Sequence, residues 1–168
     1  MKLEIGSGRS PHAGYKTVDV EEYAKPDYLG DFRTMSFSDI EEIRGHHILE
    51  HFSRQEAIKV LKLWHSWLKP EGILILETPD LKGICERFVN PKFLADRNWL
   101  CRHLYGSQEA DWAYHKDGWW DDKYREVFPQ IGFEITLIKS KTSKVIIKKE
   151  GGKERHVLPN ILIIAKKI

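Results

Sequence analysis

At 168 residues the chain is long enough to bury one substantial core, and a single domain is expected because domains usually run about 100–200 residues. Hydrophobic residues make up 41% and aromatics 11%, which excludes a disordered or collagen-like chain. Charged residues reach 31% but nearly cancel at +2, so net charge names no nucleic-acid or membrane partner.

No apolar run approaches the ~20 residues of a membrane span. Glu4 and Gly6 interrupt what would have to be the apolar core of a signal peptide, so a cytoplasmic location away from membranes is expected. Cys85 and Cys101 show no CxxC spacing, and neither a disulfide framework nor a metal site is expected.

In chain order, Lys2-Leu-Glu-Ile5 reads as a short strand ended by Gly6-Ser7-Gly8, and Tyr15 to Val20 as a second strand ending in acids. Asp27 to Phe32 is expected as a brief third strand and Ile43 to Phe52 as a fourth. Ser53-Arg-Gln-Glu56 is an S-x-x-E capping box that opens an apolar stripe at Ala57, Val60, Leu61, Trp64 and Leu68, the pattern of an amphipathic helix. Pro70-Glu-Gly72 stops that helix, and Ile73-Leu-Ile-Leu76 is the unbroken apolar run of a strand buried on both faces. Asp80 to about Tyr105 is helical with a break at Pro91, and Gly106 to Trp120 is a loop rich in His, Trp and Tyr. Asp121 to Ile131 is a helix expected to be interrupted near Pro129. Phe133–Ile138 and Asn160–Ala165 supply two last strands able to pair as a hairpin, with Val145–Ile147 and a Gly151-Gly152 turn signal extending them as an edge ribbon. Alternating strands and helices of this kind predict an α/β fold built from βαβ units.

Four strings then agree with one family. Glu4-Ile-Gly-Ser-Gly8 is similar to an E/D-x-G-x-G motif, and Gly30-Asp31-Phe32 with Met35-Ser-Phe37 to a "GD…LPF" segment. His47-Ile-Leu-Glu-His51 is similar to "HVLEH", and Leu68-Lys-Pro-Glu-Gly72 to "LKPGG". Together they resemble the class I S-adenosylmethionine-dependent methyltransferases over about residues 2–80. Tyr105-Gly106 and His115-Lys-Asp-Gly118 resemble a subgroup of small methyltransferases carrying "LYG…HKxGF". The resemblance implies a Rossmann-like, mostly parallel sheet with an antiparallel C-terminal pair. It departs in one respect: residues 9–14 and 21–27 are too short for the first two crossover helices, which are expected to be reduced or absent and to leave the cofactor site open.

The resemblance also implies S-adenosylmethionine as cofactor. Gly6, Ser7 and Gly8 would bring backbone close to it, with Glu4 near its amino end. Asp19 would accept from the ribose hydroxyls, Asp31 from the adenine amino group with Phe32 beside it, and His47 and Leu49 would line the far side. Open α/β sheets bind ligands at the carboxyl ends of their strands, where these residues fall. His51 and His115 are the candidate general bases, and Tyr105, Trp112, Tyr114, Trp119 and Trp120 the candidate walls of an acceptor pocket.

A nicotinamide dehydrogenase fits less well. Its G-x-G-x-x-G opens a helix that seats a pyrophosphate, whereas Pro11 stands at the third glycine here and no helix can follow. Lys139, Lys141, Lys144, Lys148, Lys149, Lys153 and Arg155 make the C-terminal segment basic, diluted by Glu150 and Glu154, and are read as a lysine-protected edge before a nucleic-acid surface. Methyl transfer to a small-molecule or sugar-like acceptor is the expected activity. A catalytically idle cofactor-binding accessory module and an RNA or protein methyltransferase are the alternatives.

Overall fold

The computed structural model describes the backbone of residues 1–149 and 152–168, and the side chains outside 145–155. Strands β1 (Lys2–Ile5) and β2 (Lys16–Asp19) are parallel, with Glu4 opposite Thr17 and Ile5 opposite Val18. Successive side chains on a strand point to opposite faces. Leu3, Ile5 and Val18 therefore enter the core, all but fully buried, and Lys2, Glu4 and Thr17 share the other face.

Strand β3 is only Tyr28–Leu29, shorter than the expected Asp27–Phe32, because Asp31 caps a 3-10 turn at Phe32–Thr34 by accepting from the Arg33 N–H. Strand β4 spans Ile40–His46, which corrects the expected strand at Ile43–Phe52. The chain leaves the sheet at His47, whose φ of 53° lies in the left-handed region, and Leu49–His51 form a second 3-10 turn.

Helix α1 (Arg54–Trp67) carries both halves of the capping box: the Ser53 side chain accepts from the Glu56 N–H while the Glu56 carboxylate accepts from the Ser53 N–H. It buries Ala57, Val60, Leu61, Trp64 and Trp67. Leu68 ends the helix and opens β5 (Leu68–Pro79), where the expected Pro-Glu-Gly stop is an irregularity with Glu71 at φ 63°. Helices α2 (Leu81–Val89) and α3 (Arg97–Tyr105) are separated by a 3-10 segment opened by Pro91. Helix α4 (Asp121–Ile131) runs through Pro129 uninterrupted, contrary to expectation. The proline sits in the last turn, where it removes one donor, and Tyr124 and Phe128 anchor the helix in the core. Strands β6 (Phe133–Lys149) and β7 (Gly152–Lys167) form the antiparallel hairpin, longer than its two apolar cores, and the turn expected around Gly151 lies outside the described residues.

The sheet order is β3-β2-β1-β4-β5-β7-β6, parallel from β3 to β5 and antiparallel at β7 and β6. Core strand residues such as Leu74, Leu76, Ile161 and Ile163 pack with α1 and α4 around Trp64, Phe128 and Phe133. A smaller cluster of Ile84, Leu100 and Leu158 holds α2 and α3 to β7.

Among the described residues no α-helix joins β1 to β2 or β2 to β3; the second link holds only a 3-10 turn at Glu22–Ala24. Polar clamps take the place of those helices. Buried Glu4 accepts from the His12 backbone N–H at 2.6 Å and meets the His12 Nδ1 at 2.8 Å, and the Tyr15 hydroxyl donates to Glu42. Asp27 accepts from Lys16 Nζ at 2.6 Å and from the Thr17 N–H at 2.9 Å. Parallel sheets are ordinarily apolar on both covered faces. KLEI and KTVD alternate instead, which suits a sheet covered by helices on one side only at this end. No helix among the described residues is long and apolar enough to cross a membrane.

Candidate active site

The carboxyl ends of β1, β2 and β4 open into a cavity of about 300 Å³ lined by Gly6, Gly8, Asp19, Asp31, Phe32, His47 and His51, among others. Gly6 lines it with φ +66°, a left-handed conformation that favours glycine, and a Cβ there would lie 2.9 Å from Ile48 Cδ1 and push that side chain aside. Asp19 ends β2 with its carboxylate already oriented, Oδ2 accepting from the Gly8 N–H at 2.8 Å and Oδ1 from the Glu21 N–H at 2.9 Å. Each oxygen keeps a second lone pair for a ligand hydroxyl. Asp31 meets Arg33 through Nε and Nη2 at 2.7 to 3.0 Å, and this guanidinium holds its carboxyl below the usual range despite partial burial. Phe32 stands behind it, packed edge-on against Phe52 and Trp67.

A second cavity of about 320 Å³ adjoins the first and shares His47, His51 and Trp112 with it. Its other walls include Trp99, Arg102 and His103 from α3, and Gly106, Ala113 and His115 from the following loop. That loop is pinned by the Gly106–Tyr114 bridge and by the Lys116 N–H donating to the Glu50 carbonyl at 2.8 Å.

Glu50, 1% exposed, lines neither cavity and lies behind His47 and His115, which do. Its Oε1 is 2.9 Å from His47 Nδ1 and 3.9 Å from His115 Nε2, while Oε2 has no hydrogen-bond partner. Burial pushes the Glu50 carboxyl up, but the His47 hydrogen bond and the nearby rings of His115 and His51 bring it below its ordinary value. Burial likewise lowers the His47 ring, and Glu50 more than reverses that. His115 has only a distant carboxylate to offset burial, and its ring falls to about 4. It is neutral at neutral pH. His115 Nδ1 lies 3.0 Å from the His103 carbonyl and His51 Nδ1 lies 3.1 Å from the Tyr114 carbonyl. A carbonyl only accepts, so both Nδ1 atoms donate, and a neutral ring in either position keeps its lone pair on Nε2.

The structure thus brings together Gly6, Gly8, Asp19, Asp31, Phe32, His47, His51, His115 and Trp112 around two joined cavities. It places the remaining expected residues elsewhere. Glu4 spends both oxygens on His12, and Ser7 is buried with its hydroxyl unpaired; neither lines a cavity. Leu49 and Trp119 are core residues, at 0% and 1% exposed, and Tyr105 and Tyr114 face solvent beside the second cavity without lining it. Trp99, Arg102 and His103 went unnoticed in the sequence, although their i, i+3, i+4 spacing puts them on one helix face. Of the basic C-terminal residues with described side chains, Lys141 is paired to Glu77 at 2.7 Å.

No family model and no curated protein matches the chain. Solved structures do. Over 99% of its length the chain is similar to an S-adenosylmethionine-dependent methyltransferase from Methanosarcina mazei, at 17% identity, a TM-score of 0.63 and 92% of that chain covered. It is equally similar over 99% of its length to such methyltransferases from Anabaena variabilis (11% identity, TM-score 0.65, 76% of that chain) and Archaeoglobus fulgidus (16% identity, TM-score 0.59, 85% of that chain). With the strand order, these likenesses establish that the chain has the class I S-adenosylmethionine-dependent methyltransferase fold.

Proposed function

We propose that the protein binds S-adenosylmethionine in the cavity at the ends of β1, β2 and β4 and directs its methyl group to a small-molecule or sugar-like acceptor in the adjoining cavity. One observation carries this reading: Asp19, at the end of β2, faces a cavity whose floor is Gly6 and Gly8 and whose far wall is shared with a second, histidine- and tryptophan-lined cavity. The residues fit the cofactor. Asp19 offers two oriented oxygens to a diol, the Asp31 edge and Phe32 offer an acceptor and an apolar surface to an adenine, and His47 and Ile48 close the opposite side.

The cofactor supplies an activated methyl group, so the protein's work is to place the acceptor in line and exclude water. Trp99 and Trp112 provide flat apolar walls for that, and Arg102, paired to Glu109 at 2.7 Å, lies beside them. The Nε2 lone pairs of His51 and His115 are the groups available to the acceptor's proton. A cavity of about 320 Å³ favours a small acceptor over a macromolecule, and the pairing of Lys141 with Glu77 weakens the case for a basic surface that tracks RNA.

Calorimetric titration with S-adenosylmethionine and S-adenosylhomocysteine tests the first half; absence of binding at millimolar ligand refutes it. Radiolabelled methyl transfer into cell extracts, separated into small molecules, RNA and protein, tests the second. Label in the small-molecule fraction is expected. Label confined to RNA or protein rejects the small acceptor, and cofactor binding without any transfer identifies an accessory module.

A further inference from the structure

We propose that Glu50, His51 and His115 form a binding site for a first-row divalent transition-metal ion at the junction of the two cavities. One ligand atom from each of the three lies within 4.8 Å of the other two. Ligands about 2.1 Å from a shared ion lie about 3 Å apart, so small side-chain rotations close the set. The three come from two places in the chain, the turn after β4 and the loop before α4, which the Lys116–Glu50 backbone hydrogen bond holds together.

The donor chemistry is already arranged. Each histidine donates its Nδ1–H to a backbone carbonyl, Tyr114 for His51 and His103 for His115, and so presents Nε2. A ring oriented through its other nitrogen is the usual outer-sphere arrangement of a metal-binding histidine. Glu50 is oriented in the same manner by His47 on Oε1, which also lies 3.9 Å from His115 Nε2, and Oε2 is a buried oxygen with no hydrogen-bond partner, so the carboxylate keeps capacity for a cation. An unpartnered buried carboxylate oxygen is costly, and an ion in contact with it removes the cost.

A second trio, His46, His47 and Glu77, is equally close. There, however, Glu77 already accepts from Lys141 at 2.7 Å and Asn160 at 3.0 Å, so its charge is answered. Two imidazoles and one carboxylate suit manganese, iron, cobalt, nickel or zinc in preference to magnesium or calcium, and three protein ligands leave coordination positions open. His51 lines both cavities, so those positions face the place where the acceptor would sit. The role rests on the methyltransferase reading: the ion would occupy both Nε2 lone pairs, so with metal bound the acceptor, an oxygen compound such as a diol or hydroxy acid, would be held and made more acidic by the ion in place of deprotonation by His51 or His115.

The test is a titration of the full chain, stripped with chelator and dialysed, with Co²⁺ followed by visible absorbance and with Zn²⁺ followed by calorimetry, both without cofactor. One equivalent should bind with a dissociation constant below about 10 μM. His51→Ala and His115→Ala should each weaken binding at least about tenfold. His46→Ala should leave it unchanged. No saturable binding up to about 1 mM, or binding lost in His46→Ala and kept in His115→Ala, overturns the proposal. Circular dichroism checks that each variant folds; if His115→Ala does not, proton NMR of the wild type decides, because Zn²⁺ must shift the ring signals of His51 and His115 and not that of His46. Loss of cofactor binding with metal binding intact would remove only the catalytic role, and the converse only the metal site.

Discussion

The Gly8 backbone N–H donates to Asp19 Oδ2 at 2.8 Å, so the glycine turn after β1 and the acid that ends β2 form one unit. Asp19→Ala removes both this tie and the acceptor offered to a ribose diol. Cofactor affinity should fall at least about tenfold, since a hydrogen bond to a charged group contributes about 1.5–3 kcal/mol. Calorimetry on Asp19→Ala beside Asp19→Asn checks it: the amide keeps the shape and one acceptor oxygen, so its loss should be smaller.

Gly106 holds a φ of +84°, and a Cβ there would lie 2.0 Å from the Ala113 carbonyl oxygen. Gly106→Ala should therefore break the bridge to Tyr114 and displace Trp112 and His115 from the second cavity. A destabilisation of about 1–3 kcal/mol is expected in urea unfolding. The first cavity shares Trp112 but not Gly106, Ala113 or His115, so binding of S-adenosylmethionine should weaken less than the fold does.

Glu77 is one of the carboxylates, with Asp27, that contribute to acid stability. Burial pushes its carboxyl up, yet His46 and Lys141 outweigh that and bring it from an ordinary 4.5 down to about 2. A folded-state value below the unfolded one stabilises the protein above pH 4.5, and that stability is lost as pH falls toward 2. Between those limits the wild type should lose about 1–3 kcal/mol on this account. Unfolding curves of Glu77→Gln across the same range should be flatter; an unchanged slope would assign acid sensitivity elsewhere.

Ser53→Ala deletes the capping box at the start of α1. About 1 kcal/mol of stability should be lost, seen as a lower urea midpoint at unchanged m-value.

Where the sequence spoke clearly, it did so through periodicity. The α1 stripe, the β5 strand and the C-terminal hairpin are all present, as is the lack of crossover helices around β2, but the β5 run is fully buried on one face only, at Leu74 and Leu76, with Ile73 and Ile75 half-buried. His47 shows why β4 was expected to run long: its apolar neighbours Ile48 and Leu49 look like strand, and only its positive φ, invisible in composition, turns the chain. Glu4, Leu49 and Trp119 show the same limit at the site. Motif position marks a residue near the cofactor, whereas burial against His12 or the core decides whether it reaches the cavity. The Glu50, His51 and His115 trio was hidden for a different reason, since its third member lies 64 residues beyond the second and only the loop's return unites them.

The polar clamps on the helix-free face of β1 and β2 have a consequence for motion. Small groups of hydrogen bonds and ion pairs, such as Glu4 with His12 and Asp27 with Lys16 and Thr17, secure this edge where a packed helix would bury apolar surface, and segments with few buried apolar contacts open first. Amide hydrogens of β2 and β3 should thus exchange with solvent sooner than those of β5 and β7. Asp19 belongs to that edge, so a nucleoside bound there would also slow the exchange of the strands beside it, making ligand occupancy visible as local protection.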